Sequence, residues 1–115
     1  MTGWVKKLNK QILQTMIIYN VTVNVSEDIH DEWLKWMTTE HIKDVMDTGC
    51  FKDSKIYRVV SPEPEEGVTY SILYYLNSIE EYERYQIEHA AILQSQNREK
   101  FEGEFTAYRT LMESI

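Results

Sequence analysis

The sequence has few of the residues that staple, break or stiffen a chain. A single cysteine, Cys50, leaves no partner for an internal disulfide, and no Cys/His spacing suits a structural zinc. The two prolines both fall in Ser61-Pro62-Glu63-Pro64-Glu65-Glu66-Gly67, so this stretch reads as a solvated loop. Four glycines are scattered singly, which excludes a glycine-rich phosphate loop. Basic residues are scarce: twelve against nineteen acids give a net charge of −7. Lys6, Lys7 and Lys10 precede residue 16, so residues 16–115 carry −10, nine bases against nineteen acids. Such a body repels phosphate backbones and anionic bilayers, so neither nucleic acid nor a membrane is an expected partner. No apolar run reaches the length of a membrane span, and the start lacks an apolar segment with a small-residue cleavage site. A cytoplasmic protein without cofactor or metal is therefore the expectation.

What the chain does have is aromatic residues and clear periodicity. Eleven Tyr and Trp in 115 residues give a small core much area to bury, and the length suits one domain. A domain this small gains from association, which makes a homodimer a natural state. Ile17, Tyr19, Val21, Val23 and Val25 alternate with Ile18, Asn20, Thr22 and Asn24, the pattern of a strand with one apolar face. Ser26 then caps a helix whose first turns carry Glu27, Asp28, Asp31 and Glu32, where the helix dipole favours acids. Its apolar side is Ile29, Trp33, Trp36, Met37, Val45 and Met46, and Gly49 stops it. A less regular strand is expected over 51–60 and a third, alternating one over 68–76. A second helix starts at Asn77-Ser78 and runs to about Lys100, Gly103 breaks the chain, and a last strand covers 105–112.

The order is β-α-β-β-α-β, and the two halves echo each other. Trp33-x-x-Trp36 with Glu40-His41 follows the first strand, and Tyr82-x-x-Tyr85 with Glu88-His89 follows the third. Two such halves make an α+β, ferredoxin-like sandwich, a four-stranded antiparallel sheet with both helices on one face. The other face would carry Ile18, Asn20, Thr22, Asn24, Thr69, Ser71, Leu73 and Tyr75, with Arg58, Tyr108 or Arg109 from the outer strands. Pressed against a second copy, it would enclose a semi-polar cavity. Residues 1–15, with Trp4, Val5, Leu8, Ile12 and Leu13 at helical spacing, read as a short amphipathic extension or as sequence upstream of a start at Met16. The domain proper is then residues 16–115.

Met16 to Val23, Trp33-Leu34-Lys35-Trp36-Met37, His41-Ile42, Thr48-Gly49-Cys50-Phe51, Tyr82-Glu83-Arg84-Tyr85, Glu88-His89-Ala90 and Phe105 to Leu111 together resemble the domain-of-unknown-function 4286 family. The resemblance covers about residues 16–113. That family is similar in plan to the dimeric α/β barrel superfamily, which includes cofactor-free monooxygenases, haem-degrading enzymes, isomerases and proteins with no known activity. The resemblance implies fold and dimerisation and no particular reaction.

Candidate site residues follow from the pattern. Asn20, Thr22, Ser71 and Tyr75 are placed to orient a small ligand on the open sheet face. His41 and His89 lie on or beside the apolar faces of their helices, as a base, a ligand, or a neutral imidazole hydrogen-bonded under the helix. Cys50 follows the carboxyl end of a helix, a setting that works against a thiolate and fits a buried structural residue. The aromatic pairs read as core. The leading expectation is a small-molecule-binding or regulatory homodimer. A cofactor-independent monooxygenase on a small aromatic substrate and a protein-interaction module are the alternatives.

Overall fold

The computed structural model describes residues 16–115; the extension over residues 1–15 lies outside it. Strand β1 (Ile17–Val25) alternates as its sequence does, with Ile17, Tyr19, Val23 and Val25 buried. It is central to the sheet, whose order is β2 (Asp53–Arg58), β3 (Val68–Leu76), β1 and β4 (Phe105–Glu113), every pair antiparallel. This is the ferredoxin-like arrangement. β2 is shorter than its sequence suggests. Lys52 and Val59 each still donate one backbone hydrogen bond to β3, at Tyr75 and Thr69, but fall outside the ladder.

Both helical segments sit on the face that carries Tyr19, Tyr70 and Tyr74. Trp33 packs on Tyr70 with ring centroids 5.4 Å apart, and Tyr85 meets Phe51 edge-on at 4.8 Å. Trp33 and Tyr85 are buried, while Trp36 and Tyr82 are partly buried against the same core, as the reading of these pairs as core requires. Cys50 is buried and free.

Neither helix is a single regular α-helix. The first segment, residues 27–47, begins with a 3-10 turn (Glu27–Ile29) capped by the Ser26 hydroxyl, which accepts from Asp28 N–H. It continues as α1 (His30–Trp36), a π-turn (Met37–His41) and α2 (Ile42–Asp47). In the π-turn Ile42 N–H donates to the Met37 carbonyl, five residues back. The Thr38 and Thr39 hydroxyls donate to the carbonyls of Leu34 and Lys35 at 2.8 and 2.7 Å. An α-helix turns about 100° per residue, so a row of four-residue steps drifts by about 40° at each step. The wider turn takes back that drift. Trp33, Met37, His41 and Val45 can then all address the sheet.

The second segment departs from expectation more sharply. It is two helices, α3 (Ile79–Glu88) and α4 (Ala90–Lys100), with His89 between them at φ −130° and ψ −34°. Tyr85 and Ala90 are both buried although they are five residues apart. On an unbroken helix that spacing points to nearly opposite sides, and the break brings both to the core. His89 N–H still donates to the Tyr85 carbonyl, and its own carbonyl accepts from Leu93 N–H. Ser78 caps α3 by accepting from Glu81 N–H. Ser78→Ala is expected to cost about 1 kcal/mol, readable by urea denaturation.

Candidate functional site

Register decides what the open sheet face contains. Ile18, Asn20, Thr22 and Asn24 pair with Tyr75, Leu73, Ser71 and Thr69 on one side. On the other they pair with Met112, Thr110, Tyr108 and Thr106. β2 adds Lys55 and Tyr57, opposite Leu73 and Ser71. Arg58 pairs with buried Tyr70 and Arg109 with Val21, so both belong to the helix side. This corrects the expectation that either arginine joins the open face; Tyr108 alone of the three does. The outer strands are polar on both faces in sequence, and only pairing phases them.

The polar residues of this face are bonded to one another. Ser71 Oγ donates to Asn20 Oδ1 at 2.6 Å, and Asn20 Nδ2 donates to Thr22 Oγ1 at 3.1 Å. Asn24 Nδ2 donates to Thr69 Oγ1 and to the Glu66 carbonyl. A groove of about 450 Å³ runs beside them, walled by Thr22, Ser71, Tyr108 and the loop prolines Pro62 and Pro64. Thr22 and Ser71 therefore line a groove together, and Asn20 reaches it through Ser71. Tyr75 lies at the other end of the face, opposite Ile18 and Asp53.

The helix side holds a second, smaller cavity of about 30 Å³. His41 comes to it from the π-turn, Gln94 and Asn97 from α4, Tyr85 from α3, Tyr19 from β1 and Arg109 from β4. His41 stacks on Trp36 with centroids 4.7 Å apart, and its Nδ1 is buried without a partner among the described residues. The expectation of a hydrogen-bonded imidazole is thus not met at that nitrogen. Burial lowers the His41 pKa to about 4; Asp44 opposes this and Arg109 adds to it. The ring is neutral near pH 7. Burial raises the Tyr19 and Tyr85 hydroxyls above the usual tyrosine range, and Arg109 partly offsets both. Among the described residues that line this cavity, Arg109 is thus the one cation.

The family model described as Domain of unknown function (DUF4286) matches residues 16–115. The chain belongs to that family. No curated protein matches it. Among solved structures it is similar to an ethyl tert-butyl ether D (EthD) family protein from Bacillus halodurans C-125. That pair has TM-score 0.63 and 15% identity, covering 86% of this chain and 99% of the other. It is also similar to an EthD-like protein from Ralstonia eutropha JMP134, with TM-score 0.60, 12% identity, and 89% and 92% covered. A dimeric ferredoxin-like protein of unknown function from Thermobifida fusca YX aligns with TM-score 0.52, 11% identity, and 86% and 90% covered. At these identities the likeness is one of fold.

Elsewhere in the DUF4286 domain the remaining candidates separate. His89 is half-buried at the α3–α4 break, 6.3 Å from the Tyr85 ring, and lines neither cavity. His41 is thus apart from Asn20, Thr22, Ser71 and Tyr75, on the opposite side of the sheet. Among the described residues no three of His, Cys, Asp and Glu are grouped to hold a metal ion, and no helix is long and apolar enough to cross a membrane. Sequence reasoning passed over His30, whose Nε2 lies 2.6 Å from the Tyr70 hydroxyl. It also passed over Asn97, which is 7% exposed and has an Oδ1 without a partner among the described residues. A signal for Asn97 existed: Leu93, Asn97 and Phe101 form a row of four-residue steps, all buried, with one polar member.

Proposed function

We propose that this DUF4286 protein is a homodimer formed through its open sheet face, binding a small molecule in the groove beside Thr22 and Ser71. One observation carries the reading: apolar side chains flank a hydrogen-bonded polar centre and close one end of it. Tyr108, Tyr57 and Met112 are 65, 49 and 39% exposed, and Ile18, Leu73 and Tyr75 are half-buried beside them. Exposed apolar area of this kind favours association. Asn20, Thr22 and Ser71 at the centre already bond to one another, so a second sheet can cover them at reduced desolvation cost. Strand spacing and rise give the face a footprint of roughly 500 Å², or about 1,000 Å² over a pair of subunits. That is the lower bound for a specific interface, so the whole face must take part. The fold likeness to a protein described as dimeric and ferredoxin-like supports the same assembly. A groove of about 450 Å³ has the volume usual for small ligands. A cytoplasmic setting belongs to this reading, since the lone cysteine is buried and unpaired.

Native mass spectrometry tests it. The expected result is a dimer that carries extra mass from a co-purified small molecule, and a Tyr108→Glu variant shifted to monomer. A wild-type monomer at micromolar concentration would overturn the interface, and wild-type protein without extra mass would overturn the bound ligand.

A further inference from the structure

From the helix-side cavity we infer a second binding site, within a single subunit, for a short α-hydroxy carboxylate. Asn97 is buried with its Oδ1 unpartnered among the described residues, and it lines the same cavity as His41, whose buried Nδ1 is likewise unpartnered among them. Two orphaned polar atoms in one lined space call for a group that bonds to both, since a buried donor or acceptor left unmet keeps its full desolvation cost. A hydroxyl suits them, because it donates once and accepts twice. The cavity volume, about 30 Å³, holds one or two water-sized groups, enough for a hydroxyl and its carbon.

The charge follows from the lining. Tyr19, Tyr85, Gln94 and His41 are neutral near pH 7, and Arg109 supplies the cation. Arg109 projects from the exposed part of edge strand β4, so it stands where the cavity meets the surface. Its planar guanidinium takes a carboxylate in a two-pronged bond. A ligand with its acid on Arg109 and its hydroxyl inward toward Asn97 and His41 fits this gradient from charged mouth to neutral interior. A cationic ligand would meet Arg109, and a purely apolar one would leave Asn97 Oδ1 unmet. This site lies across the sheet from the groove and needs no second subunit.

Glycolate is the probe, and acetate, which lacks the hydroxyl, is the comparison. Trp36, stacked on His41, provides the fluorescence signal. Glycolate is expected to change that signal saturably and to bind at least 10-fold more tightly than acetate. Arg109→Gln should abolish saturation below about ten times the wild-type Kd. Asn97→Leu should bring glycolate and acetate to equal affinity while the thermal transition stays cooperative. Equal binding of the two acids by the wild-type protein, saturation retained in Arg109→Gln, or no saturable change would each overturn the proposal. The first comparison needs no variant. A monomer in native mass spectrometry would sink the dimer reading and leave this one standing.

Discussion

Gly67→Ala is expected to destabilise the fold by about 3 kcal/mol, lowering the melting temperature by roughly 15 °C. Gly67 ends the proline-bearing loop and has φ +72°, a conformation that costs an L-residue about 1–2 kcal/mol. The larger part of the effect is contact. A Cβ at this position would lie 2.5 Å from the Val25 carbonyl oxygen and 2.7 Å from Asn24 Oδ1. The first of these is backbone in the central strand, whose Val25 pairs with Val68, the next residue in the chain. It cannot yield without opening that end of the ladder. Gly103→Ala is the control. Its φ is +76°, yet an added Cβ would meet nothing within 4 Å. It should cost only about 1 kcal/mol. The difference in urea midpoint isolates the clash. Equal losses would show that the backbone of β1 accommodates the methyl group.

The second large effect is a loss of stability in acid that traces to His41. In the unfolded chain its imidazole titrates at the ordinary value of 6.5, whereas in the folded protein burial holds it to about 4. Above pH 6.5 both states are neutral and His41 adds no pH dependence. As pH falls from 6.5 toward 4, the unfolded chain takes up a proton that the folded one refuses, so stability declines. Below about pH 4 both states are protonated and the decline ends. The loss over this window is about 2–3 kcal/mol. His41→Gln has no titrating group there. Its stability should change less between pH 7 and pH 4 by that amount, measured by urea denaturation at several pH values. Parallel curves for the two proteins would mean that the folded His41 accepts a proton as readily as the unfolded one.

The same histidine shows how far the sequence could be read. Its place on the row Trp33, Met37, His41, Val45 was plain, because four-residue spacing is a local property. The π-turn that lets this row hold its direction was not, although three successive four-residue steps drift in a regular helix. The central strands β1 and β3 were legible to within a residue, since each has a buried face and alternates accordingly. The outer strands were not. Tyr57-Arg58 and Tyr108-Arg109 are mixed on both faces, and pairing alone sends the tyrosines to the open side and the arginines to the helices. The neighbours of His41 escaped for a related reason. Asn97 and Arg109 reach the cavity from α4 and β4, dozens of residues away, and no spacing rule links residues brought together only by tertiary packing. The open-face set fared better because Asn20, Thr22 and Ser71 lie on strands whose register is set by their own hydrophobic alternation.

The two rims of the sheet differ in how they would receive another strand. β2 is six residues long and carries Asp53, Lys55 and Arg58, so it is short and studded with charge. β4 is nine residues long, without proline, and between Phe105 and Met112 its only charge is Arg109. Short length, charge and proline are the usual deterrents to unwanted strand addition. Among the described residues β4 pairs only with β1, leaving its outer row of amides and carbonyls free of strand partners. By these criteria a further strand would meet less resistance at β4 than at β2. One guanidinium stands guard over the permissive side.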